Sequence, residues 1–194
     1  MHKNRFMSML AIAAFGGALV AGGCASAATG APAAATTASA RATAVTSGTA
    51  NIMIYGVNTD GAYFHAIVSG VIGDYGPAVS IYPNGTVDPQ HTSEMVLRLI
   101  RGSFRIRIAA LIKAFGKVTS HEPIYPKTCS DLMSATAATP IVAGSGTGAY
   151  RGIRGSFSVT LTGNEVEARP CGPDRPSAFR SQLLTAAGSG TVSF

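Results

Sequence analysis

The sequence predicts an all-β protein. Two observations carry this reading: from residue 50 onward, short runs rich in β-branched and aromatic residues alternate apolar with polar side chains, and glycine, proline, asparagine and aspartate punctuate those runs. No repeat of about 20 to 50 residues is visible that would indicate a solenoid or propeller instead.

The chain opens on MHKNR, a short basic start, followed by FMSMLAIAAFGGALV, an apolar run too short for a comfortable membrane span. This is the pattern of an export signal. Ala25-Ser26-Ala27 fits ordinary signal peptidase cleavage, giving a signal over residues 1–27 and a secreted protein. Val20-Ala21-Gly22-Gly23-Cys24 resembles a bacterial lipobox, although alanine stands where leucine is usual; cleavage there removes residues 1–23 and makes Cys24 the lipidation candidate of a lipoprotein held at the outer face of the cell membrane. Residues 28–49 are almost all alanine, threonine, serine and glycine, cannot bury a core, and read as a disordered linker to a single domain over residues 50–194.

Within that domain NIMIYGV (51–57) reads as a strand ending at the turn NTDG. YFHAIVSGVI (63–72) is a second, GDYGP bends the chain, and AVSIY (78–82) is a third. Asn84-Gly85 then offers a tight turn, because both residues tolerate positive φ. EMVLRLI (94–100) and SFRIRI (103–108) flank Arg101-Gly102 as a hairpin with Met95, Leu97, Leu99, Phe104, Ile106 and Ile108 on one face. A rival pattern begins there, since Ile108, Leu111, Ile112 and Phe115 stand at helical spacing with Lys113 and Lys117 nearby, so a short basic amphipathic helix after residue 108 is the minority alternative. LMSATAATPIV (132–142) and GSGTVSF (188–194) complete the strands outside the glycine-rich segment.

That segment, GSGTGAYRGIRGSFSVTLT (144–162), has two readings. Gly144, Gly146 and Ala149 satisfy the G-x-G-x-x-A pattern of dinucleotide-binding loops, whose glycines follow a strand and open a helix. Here the next residues bring Gly152 and Gly155 and then Phe157, Val159 and Leu161 alternating with serines and threonines, so no helix starts; a glycine-lysine-serine/threonine phosphate loop is absent as well. The stretch reads as a glycine-rich turn feeding a half-buried strand. Its residues Gly146-Thr-Gly148-Ala-Tyr150-Arg-Gly152-Ile-Arg-Gly155 resemble the GTGxYxGxxG signature of the allene oxide cyclase and dirigent-like β-barrels, including exported bacterial members of unknown role. The resemblance covers about residues 140–163. It implies a single antiparallel β-barrel of about eight strands, and in the plant families it implies a homo-oligomer, a trimer, that steers cyclisation or radical coupling of hydrophobic molecules. None of those families' catalytic carboxylates or arginines falls on a matched position, so the activity does not follow with the fold.

Charged residues make up only 12% of the chain, and its net charge of +6 overstates its basicity: Lys3, Arg5 and Arg41 precede the domain, which holds twelve basic and nine acidic residues. Nucleic acid is excluded as a partner on this balance, because Arg105, Arg107, Arg151 and Arg154 lack interleaved aromatics. The three cysteines leave Cys129 and Cys171 as a pair once Cys24 is processed, and an oxidising compartment favours their disulfide. His65, His91 and His121 have no metal-ligand spacing, so neither a metal nor a cofactor is expected, and no G-x-S-x-G elbow marks a hydrolase. Glu165 and Glu167 share a face of the strand after the glycines; they are ligand-binding candidates if the alternation continues past Gly163-Asn164 and rim carboxylates if it breaks, the latter being the preferred reading. Tyr150, the one large side chain among the glycines, is a third candidate, with packing as its expected role. A terminal phenylalanine on an alternating strand also occurs in outer-membrane barrels, but 7% aromatics without tryptophan cannot furnish their interfacial girdles. The expected function is that of an exported cell-envelope or secreted module whose barrel binds a small hydrophobic ligand. The alternatives are a cyclase- or isomerase-type enzyme and a structural envelope protein.

Overall fold

The computed structural model describes residues 47–89, 91–119, 125–171 and 178–194; the export signal, Cys24, nearly all of the linker and His121 lie outside them. Eight antiparallel strands form one strongly curled sheet: β1 (Ser47–Val57), β2 (Tyr63–Gly70), β3 (Asp74–Ile81), β4 (Glu94–Leu99), β5 (Gly102–Arg107), β6 (Ser130–Pro140), β7 (Arg154–Glu167) and β8 (Phe179–Ser193). They are ordered β5-β4-β3-β2-β1-β8-β7-β6. The first and last strands are therefore neighbours, and β1 pairs with β8 over its whole length, from Ser47↔Ser193 to Val57↔Leu183. The helix α1 (Ala109–Thr119) follows β5, so the minority reading of that stretch is the observed one. The reason is the end of the β period at Ile108: Leu111 and Phe115 then recur one helical turn apart and are buried with it, while Ile112 remains outside.

Period-two alternation decides what is inside. Ala50, Ile52 and Ile54 of β1, Met95, Leu97 and Leu99 of β4, Phe104 and Ile106 of β5, and Phe157 and Val159 of β7 all enter one core cluster. Tyr150, Phe104, Phe157, Leu97, Ile106 and Ile153 are each no more than 2% exposed. This half of the barrel is filled by side chains, as eight strands permit. Burial of each large apolar side chain contributes about 1.5–3 kcal/mol.

The sheet's two edges, β5 and β6, meet along a seam built by the glycine-rich segment. Ile141 bridges Ile106 just beyond β6. The N–H groups of Val142, Thr147 and Ala149 then donate to the carbonyls of Arg105, Ser103 and Arg101 at 2.8, 2.8 and 2.9 Å. In return the N–H groups of Arg105 and Ser103 donate to the hydroxyls of Ser145 and Thr147, each at 3.0 Å. Side-chain hydroxyls thus complete a ladder that the turn's backbone cannot. The chains approach so closely that a Cβ on Gly148 would run into the carbonyl oxygen of Arg101, and φ there is +56°. Farther along the gap α1 packs on β6, and its Phe115 ring reaches β7, where a Cβ on Gly163 would lie 2.8 Å from the ring.

Candidate functional site

The seam ends in a polar knot in which Asp74 and Tyr150 are buried and the Arg101 side chain is half exposed. Gly148–Tyr150 forms one turn of 3-10 helix, which aims the Tyr150 ring inward against Phe104, edge to face at 5.5 Å between centroids. The Tyr150 hydroxyl donates to Asp74 Oδ2. The same oxygen accepts the Arg101 N–H at 3.0 Å and lies 3.5 Å from Arg101 Nε, while Oδ1 accepts the Tyr75 N–H at 2.8 Å. The Arg101 guanidinium also donates to the carbonyl oxygens of Ile72 and Gly73. Three turns are thereby tied together: the one before β3, the β4–β5 hairpin and the glycine turn.

The electrostatics follow from burial. Burial alone would raise the Asp74 carboxyl, but the hydrogen bonds from Tyr150 and from two backbone N–H groups, with the Arg101 charge, together hold it below the usual carboxylate range. Burial first, then the hydrogen bond to Asp74 and the charge of that carboxylate, push the Tyr150 phenol up to about 12. A phenol so held is a poor acid and stays protonated, and its Asp74 stays ionised. The knot is a lock, which gives Tyr150 a hydrogen-bonding role beyond the packing expected of it. Asp74 and Arg101 are the members that sequence reasoning missed. Each stands in a turn, and their only signals are a lone aspartate in GDYGP and a lone arginine before Gly102.

Glu165 and Glu167 lie at the opposite end. The strand does not break at Gly163-Asn164: β7 runs on to Glu167, with a register shift only between Val166 and Glu167. Both glutamates are half-buried on the face of Phe157 and Val159, and Glu165 stands directly across from Asp131 of β6. The rim reading thus gives way to a half-buried one for a physical reason: Gly163 is retained inside the strand to make room for Phe115. Nearby, Cys129 and Cys171 form the expected disulfide, with Cα atoms 5.6 Å apart.

The remaining candidates are dispersed. His91 interacts with Asp88 of its own loop, its ring Nδ1 3.2 Å from the carboxylate, and His65 stacks on Tyr55 at 5.4 Å on the outer wall. Among the described residues no group of three or more histidine, cysteine, aspartate or glutamate side chains is placed to hold a metal. Arg105 faces Glu94 at 3.0 Å, whereas Arg107 lies toward α1 and Arg151 and Arg154 lie at the end that carries the Tyr150 knot, so the four arginines do not form one patch. Among the described residues no helix is long and apolar enough to cross a membrane.

A recess of about 330 Å³ lies over β1, β2 and β8, lined by Asn51, Ile52, Met53, Ile67, Ser69, Ala187 and Gly188. Its geometry follows from the registers Met53↔Ile67 and Met53↔Ala187: two large side chains stand beside a small one, and the next inward position is a glycine without a side chain. Met53 and Ile67 are half exposed there. The chain matches no family model, no curated protein and no solved structure.

Proposed function

We propose that this chain is an exported cell-envelope or secreted binding module of the allene oxide cyclase and dirigent-like kind, and that its small hydrophobic ligand sits in the outer recess. The observation that carries the reading is that recess, where Met53 and Ile67 offer apolar surface to solvent beside a floor of Ala187 and Gly188. A ligand of this kind is driven by apolar burial and oriented by the few polar groups at the rim, here Asn51 and Ser69. The interior half around Tyr150 supports it less, because side chains occupy that space. The enzyme alternative finds little support in the knot, since Asp74, Tyr150 and Arg101 satisfy one another.

Titration of the full chain with the uncharged apolar fluorophore N-phenyl-1-naphthylamine tests the reading. Covering two half-exposed side chains is worth about 1 kcal/mol each, so Met53→Gln with Ile67→Thr should weaken binding roughly 30-fold. Absence of saturable binding, or binding unchanged in the double variant, would refute it.

A further inference from the structure

Charge is divided unevenly between the two ends of the barrel. The end that carries the Tyr150 knot is formed by the turn before β3, the β4–β5 hairpin and the glycine turn, and its charged residues are Arg98, Arg101, Arg151, Arg154 and Asp74. Asp74 is buried and faces Arg101. The other three arginines are exposed and make no ion pair among the described residues. Four arginines less one aspartate leave three positive charges at this end. Elsewhere among the described residues seven lysines and arginines stand against six aspartates and glutamates, so the rest of the barrel is close to neutral. An apolar tip stands among the arginines. Ile100, in the turn of the β4–β5 hairpin between Arg98 and Arg101, is 67% exposed, and its N–H donates to the carbonyl of Tyr75, another exposed side chain. Arg154 stands across from Ser193, which also pairs with Ser47, so the chain enters β1 in the same rank. Where the lipobox is used, the lipid on Cys24 is joined to the barrel at this end.

We propose that this end of the barrel docks on an anionic phospholipid surface, with its arginines on the headgroup phosphates and Ile100 in the headgroup boundary. A guanidinium pairs with phosphate as a bidentate fork, and a negatively charged leaflet draws basic groups that come within a Debye length of it. The exposed isoleucine at the tip of the turn supplies the apolar part, because it leaves water when the arginines reach the headgroups. A nucleic acid offers phosphates but no apolar layer to receive Ile100. A second copy of the chain offers no matching anionic face, since the rest of the barrel is close to neutral. The inference rests on the exported, envelope-facing part of the proposed function and not on its ligand, for none of these residues lines the recess.

The test is co-sedimentation with vesicles of phosphatidylcholine alone and of phosphatidylcholine mixed with phosphatidylglycerol. It uses the protein from Ala28, the form that signal peptidase cleavage leaves, which keeps every residue of the core cluster and lacks the apolar leader. Retention on the mixed vesicles only is expected, and it should be lost at about 1 M salt, where the Debye length is about 3 Å. Arg151→Gln with Arg154→Gln should weaken it roughly 30-fold, about fivefold for each arginine. Ile100→Ser should weaken it about fivefold and leave its salt dependence in place. Arg107→Gln with Lys113→Gln, the same loss of charge on and beside α1, should weaken it by no more than about threefold. The melting temperature and the binding of N-phenyl-1-naphthylamine should stay unchanged in all three variants. Four results would overturn the proposal: no retention on the mixed vesicles, equal retention on phosphatidylcholine alone, equal loss in the two double variants, or retention undiminished by Ile100→Ser together with equal affinity for a single-stranded oligonucleotide. The third assigns binding to net charge and the fourth to nucleic acid. A sedimentation mass above the monomer that Arg151→Gln with Arg154→Gln reduces would also overturn it, by assigning the end to a second copy. Loss of fluorophore binding in Met53→Gln with Ile67→Thr bears on the recess alone, and the vesicle results judge the cationic end whatever the recess holds.

Discussion

Removing one oxygen from the seam, in Tyr150→Phe, should make stability depend on pH in a defined way. The substitution keeps the ring against Phe104 and deletes only the hydroxyl that donates to Asp74. Asp74 keeps the N–H groups of Arg101 and Tyr75 and the guanidinium beside it, so the cost is that of one charge-assisted hydrogen bond, about 2 kcal/mol. The Tyr150 phenol is pushed up to about 12 from 10.0. A shift of that size corresponds to roughly 3 kcal/mol, the largest part of it from burial, which leaves the hydrogen bond a share of the same order as that cost. For a domain of this size the melting temperature should fall by roughly 4–8 °C at pH 7.

The sign at each end of the pH range follows from linkage. Tyr150 titrates higher in the folded protein, so its contribution is complete below pH 10 and lost as pH rises toward 12; the variant lacks that loss and the two proteins converge. Asp74 titrates lower in the folded protein, so its contribution is complete above the ordinary carboxylate range and lost as pH falls through its depressed value. The variant, short of one donor, has less to lose there, and the penalty narrows again. Thermal unfolding followed by circular dichroism from pH 3 to 11 measures the profile. A penalty under about 1 °C at pH 7, or one independent of pH, would refute the account.

Two further outcomes are expected. Cys129→Ser with Cys171→Ser opens a loop closed by residues 42 positions apart and should cost about 4 kcal/mol, or roughly 10 °C in melting temperature; retention of the wild-type value after verified loss of the bond would contradict this. Gly148→Ala should cost roughly 3 kcal/mol or more, since its φ is +56° and a Cβ would meet the backbone of Arg101, whereas Gly144→Ala, at φ +71° with open space around it, should cost only about 1–2 kcal/mol; equal denaturant midpoints for the two variants would show that the seam is not tightly closed.

How much of this was legible in the chain depended on how much of each element's fate is local. The β4–β5 hairpin is plain in sequence because six apolar positions alternate across Arg101-Gly102 without a break, and all six are buried. β8 is harder: GSGTVSF suggests a strand only over 188–194, yet it spans Phe179–Ser193, since its inward Ala186, Gly188 and Gly190 have little strand preference and are held by β1 and β7 on either side. GDYGP reads as a bend for the same reason, although β3 begins at Asp74 and pairs Gly76 and Pro77 with β2. The site shows the same division. Tyr150 stands out locally as the large residue among glycines, but its acceptor Asp74 is 76 positions away and carries no periodic signal. The recess is less legible still, because a concavity on an outer wall arises from side-chain sizes on three strands at once.

The glycine-rich segment links fold and function more closely than either reading of it as a motif would suggest. The two edges of this curled sheet meet, and here β5 is six residues long while β6 is eleven, so regular pairing cannot run the full height. Short edges that meet at backbone distance need residues without side chains, and the groups left over need hydroxyls, which is what Ser145, Gly146, Thr147 and Gly148 supply. Once closed, the seam is fixed from inside by Tyr150 and Asp74 and from the surface by Arg101, which also holds the carbonyls of Ile72 and Gly73. β1 and β2 contain no aspartate, glutamate, lysine or arginine, and alternation turns Asn51, Met53, Tyr55 and Ile67 outward. Met53 and Ile67 stand half exposed on that outer wall and fill no part of the core, so substituting them should alter binding while leaving the melting temperature in place.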